Sequence, residues 1–144
     1  MANVNNPNSF RLISSLYGHS ELVKGNVYHA SAIAIATGDA IIEDDTTAGK
    51  VNIAVFDSDL LHGIAAQPIA RTAGQVTAPF LYYPALPGNV FEGQCSGTYA
   101  LTKRYFACDI EGATGIMEVN ENLTNEDVIY IIREDPNTEI GAYS

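Results

Sequence analysis

Three histidines, His19, His29 and His62, are the side chains of this sequence best suited to acid–base catalysis or metal binding. They lie ten and thirty-three residues apart, and none has a second type of metal ligand at the spacing that a metal site requires. His29 falls within an apolar run and His19 within a turn. Such settings are typical of structural or solvent-exposed histidines, so we expect no catalytic and no metal-binding residue among them.

Two short acidic motifs resemble fragments of cation-binding loops. Asp57-Ser58-Asp59 lacks the glycine and the terminal glutamate that an EF-hand needs at fixed spacing, and hydrogen bonds within a turn explain it better. Glu43-Asp44-Asp45 is typical of a solvated loop. The sequence also contains no phosphate-binding loop, no dinucleotide fingerprint and no nucleophile elbow. We therefore predict that the protein is not an enzyme and carries no cofactor.

The charge balance argues against nucleic acid and membranes as partners. The 144 residues include 17 acids and 7 bases, which gives a net charge of −10. Phosphate recognition needs clustered Lys and Arg, whereas only Lys103-Arg104 is a pair here. An anionic membrane surface is disfavoured for the same reason, and the apolar run Ala30–Ile42 is too short and too polar to span a bilayer.

The N-terminus and the two cysteines indicate the cellular compartment in which the protein folds. The first residues show neither the basic start nor the apolar run of a signal peptide, so we expect the protein to fold inside the cell that makes it. In a reducing cytosol, Cys95 and Cys108 are expected to remain thiols, although they could lie on neighbouring strands.

The acidic residues concentrate in the last part of the chain. Residues 111–139 contain eight acids and a single base, Arg133, so their local net charge is −7. Such a surface could dock a basic partner. It could equally be a solvated rim that prevents aggregation between sheet edges, and the sequence leaves both interpretations open, with a slight preference for the rim.

The aromatic run Phe80-Leu81-Tyr82-Tyr83-Pro84 places rings on both faces of a predicted strand. If one face of this strand is core, the other exposes tyrosine, which is enriched in protein interfaces. We therefore predict that Phe80, Tyr82 and Tyr83 contribute to an interface. The alternative is that the protein covers both faces of the strand itself.

The elements that must position these residues are short β-strands. Alternating and β-branched runs are separated by glycine and proline turns, and no convincing helical stretch appears. Val128–Ile132 is continuously apolar, which predicts a central strand covered on both faces. The pattern predicts an all-β fold, a small antiparallel β-barrel or β-sandwich, built as one domain over residues 10–144. The predicted strands are Phe10–Tyr17, Val27–Ile35, Ala40–Ile42, Lys50–Phe56, Gly63–Ile69, Val76–Tyr83, Asn89–Cys95, Arg104–Ile110, Gly115–Val119 and Val128–Arg133.

An extended N-terminal arm is expected over residues 1–9, because four asparagines and a proline disfavour both helix and strand. An arm of this length could span about 30 Å when extended, enough to reach a neighbouring subunit. An ordinary frayed terminus is the alternative. The predicted contact residues of the arm and of the strand start that follows it are Asn3, Asn5, Asn6, Pro7 and Phe10.

Several glycine turns and small-residue strands follow one another in a recognisable order. They are Thr37-Gly38-Asp39-Ala40, Glu43–Gly49, Leu61-His62-Gly63-Ile64-Ala65-Ala66-Gln67, Ala73-Gly74, Val76–Tyr83 and Pro84–Glu92. A β-meander completes the order. It resembles the capsid decoration, or cement, proteins of tailed bacteriophages, and the Gly-Asp-Ala turn and the Gly-Ile-Ala-Ala strand are the most similar parts.

The resemblance implies a virion structural protein that binds the exterior of the phage head and stabilises the lattice of the major capsid protein. It implies synthesis in the host cytoplasm and assembly as a homo-oligomer, with a trimer favoured. The family offers no catalytic residue to transfer. Two alternatives remain open: a head–tail connector or tail structural β protein, and a small β-barrel ligand-binding domain or enzyme.

Overall fold

The computed structural model describes residues 8–16, 18, 22–27, 33–43, 48–54, 61–71, 78–122, 129–136 and 140–141. These residues form strands and one short 3-10 helix, Leu101–Lys103, which confirms the all-β prediction. The strands are β1 (Arg11–Ser15), β2 (Val23–Val27), β3 (Ile33–Ile35), β4 (Ala40–Glu43), β5 (Val51–Ile53), β6 (Leu61–Ala65), β7 (Ile69–Arg71), β8 (Ala78–Pro84), β9 (Asn89–Glu92), β10 (Ala107–Glu111), β11 (Glu118–Asn120) and β12 (Ile129–Tyr130).

The largest sheet contains β2, β5, β4, β6 and β8 in that order. β4 pairs antiparallel with β5 on one side and with β6 on the other, and β6 continues to β8. β8 pairs antiparallel with β2 over five positions. β2 also meets β5 in a parallel pair at one position, where Val27 lies opposite Val51. These pairings place β2 between β5 and β8, although the three strands are distant in sequence.

Three smaller sheets complete the fold. β1 pairs with β9, β3 pairs with β7, and β10 lies between β11 and β12. All of these pairs are antiparallel. Cys95 adds an isolated bridge to Val119, which continues the β10–β11 sheet toward the preceding loop.

Two apolar clusters fill the interior. The main core consists of Phe10, Ala40, Ala54, Ile64, Cys95, Tyr99, Cys108, Ile110, Met117 and Val119. The sheet core consists of Ile35, Ile41, Val51, Ala65, Phe80 and Tyr82. β4 and β6 send successive residues to opposite clusters, as the two-residue period of a strand requires. These two strands are therefore covered on both faces.

A buried carboxylate joins the N-terminal segment to the two cores. Asp39 is fully buried, and its Oδ1 accepts hydrogen bonds from the Ser9 hydroxyl at 3.0 Å and the Gly115 amide at 2.7 Å. Its Oδ2 accepts the Ala36 amide at 2.8 Å. Ser9 in turn accepts the Met117 amide at 3.0 Å. We call Ser9, Asp39 and the Gly115–Met117 turn the Asp39 junction.

The N-terminal boundary of the domain differs from the expected one. The predicted arm ends at residue 9, but Ser9 is buried and bonded to Asp39, and Phe10 lies in the main core. Ser9 adopts a φ of 57°, which a residue outside the fold would not need to hold. The folded domain therefore includes Ser9, because Asp39 and Met117 both bond to it.

The predicted central strand Val128–Arg133 is wrong in position and length. Residue 128 lies outside the described residues, and the strand β12 covers only Ile129–Tyr130 at the edge of its sheet. Ile129 and Ile131 pack against the main core, whereas Tyr130 and Ile132 are exposed. The run is continuously apolar because one face contacts the core and the other forms an exposed apolar surface.

Two longer predicted strands each overlap two observed strands. Val27–Ile35 overlaps the end of β2 and the whole of β3, with residues 28–32 outside the described residues, and Gly63–Ile69 overlaps parts of β6 and β7. In the second case a bend at Ala66 and Gln67 precedes Pro68, which has no amide hydrogen to donate to a ladder.

Candidate protein-interaction surface

The structure corrects the predicted interface role of three aromatic residues. Phe10 lies in the main core, and Phe80 and Tyr82 lie in the sheet core, with 1% and 5% of their surfaces exposed. The protein covers these rings itself, so they cannot form an exposed contact surface. Tyr83 is partly buried opposite Ile64 of β6. Asn3, Asn5, Asn6 and Pro7 lie outside the described residues, so their predicted contacts stay predictions.

Two glycines explain how Tyr82 fits into the sheet. A Cβ at Gly25 of β2 would lie 3.0 Å from the Tyr82 ring, and one at Gly63 of β6 would lie 2.6 Å from it. These strands flank β8 on either side. The ring of Tyr82 therefore occupies the space that side chains on its neighbours would need, and its burial depends on glycine at both positions.

Six of the twelve large apolar side chains that are exposed among the described residues lie in segments around the β10–β12 edge. Tyr105 and Tyr130 are 63% and 60% exposed, and the neighbouring chain segments expose further large apolar groups. Monomeric proteins rarely expose many such groups together, and their clustering marks interaction sites. We call this region the outer face. Its residues are Leu101, Tyr105, Phe106, Tyr130, Ile132 and Ile140.

Backbone hydrogen bonds hold the segments of the outer face together. The Tyr105 amide donates to the Ile131 carbonyl at 2.7 Å, and the Ile131 amide donates to the Phe106 carbonyl at 3.1 Å. Residue 130 pairs with Ala107 in the adjoining ladder. The Tyr99 amide also donates to the Gly141 carbonyl at 2.8 Å, which places Ile140 beside the start of the 3-10 helix segment.

The backbone at Tyr105 is strained. Its φ is 67°, in the left-handed region that bulky residues rarely adopt. Arg104 next to it bonds the Glu134 carboxylate, with 2.6 Å to Oε1. That contact raises the pKa of Arg104 and lowers the pKa of Glu134. Strain of this kind persists where the surroundings impose it, and it is concentrated at functional positions.

The apolar residues of the outer face are visible in the sequence, but their pattern predicts buried strands. The continuous apolar run Val128–Ile132 predicts a strand buried on both faces, and the predicted strand Arg104–Ile110 places Tyr105 and Phe106 inside a strand. The 3-10 helix Leu101–Lys103 and the turn at Arg104 displace the strand start to Ala107. Apolar content alone cannot separate a core strand from an edge strand with an exposed apolar face.

A second, smaller group of exposed apolar residues lies at the β1 end. Leu16 and Leu86 are both exposed, and the Leu16 amide donates to the carbonyl of Gly88 at 2.9 Å. Gly88 has a φ of 96°, and a Cβ there would lie 2.5 Å from the Cβ of Leu16. The turn at Pro87 and Gly88 packs Leu16 next to the tip of the β8–β9 connection.

The described acidic residues within 111–139 are less exposed than a docking surface or a solvated rim would require. Glu121 is only 1% exposed, and its Oε2 has no hydrogen-bond partner among the described residues. Its Oε1 accepts the Asn122 side-chain amide at 2.6 Å. Glu118 is partly buried, and burial followed by the charges of Glu111 and Glu121 raises its pKa, against a hydrogen bond from Gln94 that lowers it. Part of the acidic segment therefore lies inside the fold.

A pocket lies on the largest sheet, and its lining residues are distant in sequence from those of the outer face. It has a volume of about 130 Å³ and is lined by Lys24, Gly25, Glu43, Gly49, Lys50, Val51, His62 and Tyr82. His62 Nε2 and the Tyr82 hydroxyl are hydrogen-bonded at 2.9 Å, and their ring centroids are 5.3 Å apart. His62 thus has a defined partner that spacing in the sequence did not indicate.

The described part of the chain offers no other obvious chemical site. It contains no group of three His, Cys, Asp or Glu side chains arranged to hold a metal ion. Within the same residues, no helix is long and apolar enough to cross a membrane. Cys95 and Cys108 are both buried and carry thiols rather than a disulfide, as expected from the sequence. Comparisons with protein-family models, with curated proteins and with solved structures found no match to this chain.

Proposed function

We propose that this protein is a virion structural protein that decorates the exterior of a phage head and stabilises the lattice of the major capsid protein. The observation that carries a binding role is the outer face, where exposed aromatic and aliphatic residues project from hydrogen-bonded backbone. Aromatic residues on a fixed backbone lose little conformational freedom on binding, which suits them to interfaces. The capsid as partner is supported by the motif resemblance alone.

The fold proposed for this role is a small β-barrel formed by β2, β5, β4, β6 and β8. The pairing of β2 with both β8 and β5 supports closure, since each strand then has two neighbours. A barrel leaves no unpaired edge on this part of the molecule, so lateral contacts would fall to the β10–β12 edge. We propose a homo-oligomer, with a trimer favoured, made in the host cytoplasm.

The test is cosedimentation of the full chain with expanded heads and, separately, with unexpanded heads. We expect saturation at hundreds of copies per head, and binding to expanded heads only. Saturation at about six or twelve copies would instead indicate a connector or tail protein. No sedimentation with either type of head would overturn the proposal.

A pair of variants tests the outer face. Tyr105→Asn with Tyr130→Ser removes two exposed rings, and asparagine tolerates the left-handed backbone at residue 105. We expect at least a tenfold loss of head affinity with the fold retained. The matched control is Leu16→Ser with Leu86→Ser, which removes exposed apolar groups elsewhere. Unchanged binding by the tyrosine variant would remove the outer face from the interface.

A further inference from the structure

The pocket on the largest sheet is built rather than incidental. Glycine at positions 25 and 63 leaves room for the Tyr82 ring, and this arrangement positions the Tyr82 hydroxyl against His62. The pocket wall is therefore specified by residues on three adjacent strands, β2, β8 and β6. Two lysines, Lys24 and Lys50, and one carboxylate, Glu43, complete its lining.

The lining of the pocket supplies several hydrogen-bond donors. Within the described residues, neither Lys24 nor Lys50 makes an ion pair, although the chain as a whole has 17 acids and only 7 bases. The His62–Tyr82 pair adds a donor in either histidine tautomer. If Nε2 donates to the tyrosine oxygen, the Tyr82 O–H is left to donate, and if Nε2 accepts, the histidine Nδ1 carries a hydrogen.

The charge of the lining limits the ligand. The two lysines and one glutamate of the lining contribute a net charge of about +1. One carboxylate would balance that charge, whereas a phosphate, at about −1.5 to −2, would exceed it and be repelled by Glu43. Burial raises the pKa of Tyr82, so its hydroxyl remains a donor at neutral pH.

We propose that this pocket binds a single carboxylate group, held by Lys24 and Lys50 and hydrogen-bonded by the His62–Tyr82 pair. The inference is independent of the proposed capsid role. A volume of about 130 Å³ suits a carboxylate on a short aliphatic stem. Lys24 and Glu43 are exposed at the rim, so both a free small acid and an acidic side chain of another protein can reach the site.

The test follows the His62 and Tyr82 ring signals by NMR while the full-length protein is titrated at constant ionic strength. The probes are sodium acetate, a neutral-ended Gly-Glu-Gly peptide, its Gly-Gln-Gly counterpart and sodium chloride. We expect saturable shifts with acetate and with the glutamate peptide only. Tighter binding of the peptide would assign the site to protein-borne carboxylates, and tighter binding of acetate would assign it to a free small acid.

Variants distinguish carboxylate binding in the pocket from nonspecific attraction to surface charge. Lys24→Gln with Lys50→Gln is expected to weaken carboxylate binding at least tenfold, and Tyr82→Phe several-fold while retaining the ring. The control Lys103→Gln removes a lysine from the 3-10 helix and should change nothing. Equal shifts with chloride or with the glutamine peptide would overturn the proposal, as would unchanged acetate binding in the double lysine variant.

Discussion

Asp39 connects three separated parts of the chain through one buried side chain. Its carboxylate accepts hydrogen bonds from the Ser9 hydroxyl and from the amides of Gly115 and Ala36. None of its surface is exposed. The sequence shows it only as part of a Gly-Asp turn, where an aspartate is usually solvated. Its structural role could not be predicted from the sequence, because Ser9 and Gly115 are 30 and 76 residues away.

Asp39→Ala is expected to lower the free energy of unfolding by about 3–5 kcal/mol, because it leaves one buried donor and two partly buried donors without an acceptor. Urea unfolding measured by circular dichroism checks this value. Asp39→Asn keeps the size of the side chain and one acceptor oxygen, so its loss should be smaller. Glu43→Ala removes an exposed carboxylate and should stay within about 0.5 kcal/mol of the parent protein. An equal loss of unfolding free energy in Asp39→Ala and Glu43→Ala would contradict the structural role of Asp39.

Cys95 predicts a pH dependence of stability. Burial, followed by the charges of Glu121, Cys108 and Glu118, raises its pKa from 9.0 to about 12. The folded state therefore favours the neutral thiol, and its contribution is fully present below pH 9. The contribution is lost as pH rises from 9 toward 12, because the unfolded chain then releases a proton that the folded chain retains.

We expect the free energy of unfolding to fall by about 1 kcal/mol between pH 8 and pH 10 through Cys95 alone. Urea unfolding of the parent protein and of Cys95→Ala at both pH values measures it. The Cys95→Ala variant should show a shallower decline, although the raised pKa of Tyr82 leaves part of the slope. Identical slopes would exclude Cys95 as the source. At pH 8.5, iodoacetamide should label Cys95 only after unfolding.

At the scale of elements, glycines determine how neighbouring strands approach. A Cβ at Gly63 would lie 2.4 Å from the Tyr83 carbonyl oxygen and 2.6 Å from the Tyr82 ring. Glycines between the predicted strands predict turns, and this is confirmed for Gly38 and Gly88, whose φ angles are 90° and 96°. Gly63 lies inside β6 for a different reason, which is visible only once β8 is placed beside it.

Gly63→Ala is expected to destabilise the protein by about 1–3 kcal/mol or more, because a backbone oxygen cannot move aside as a side chain can. Gly25→Ala meets only ring atoms, at 2.9 and 3.0 Å, and should cost less. Thermal unfolding of the two variants in parallel provides the comparison. A larger effect at Gly25 would contradict the arrangement of β6 against β8.

The positions of most strands could be predicted from the sequence, whereas the pairing between strands could not. Period-two alternation and turn glycines located most strands to within a few residues, including β4, β8 and β9. The contact of β2 with β5 and β8, and of β1 with β9, depends on chain reversals that no local pattern encodes. The exposed outer face was missed for the same reason, since the edge position of β12 is a property of the sheet rather than of the strand.

At the scale of the whole molecule, the N-terminal segment combines a structural role in the fold with a predicted role in head binding. Ser9 and Phe10 belong to the fold, because one bonds Asp39 and the other fills the main core. The predicted contact residues before them lie outside the described residues. Deleting residues 2–9 therefore removes the two hydrogen bonds of Ser9 together with the predicted arm. A change in head binding could then not be assigned to either loss.

Two deletions resolve this. Removing residues 2–7 spares Ser9, so we expect an unchanged free energy of unfolding and, if the arm contacts the capsid, weaker binding to expanded heads. Removing residues 2–9 also takes away the donor to Asp39 and the acceptor of the Met117 amide, so stability should fall by about 2–4 kcal/mol. Ser9→Ala in the full chain is the matched control for that loss. If the 2–7 deletion decorates heads with unchanged affinity, the arm has no role in binding, and the exposed residues of the outer face must supply the contact by themselves.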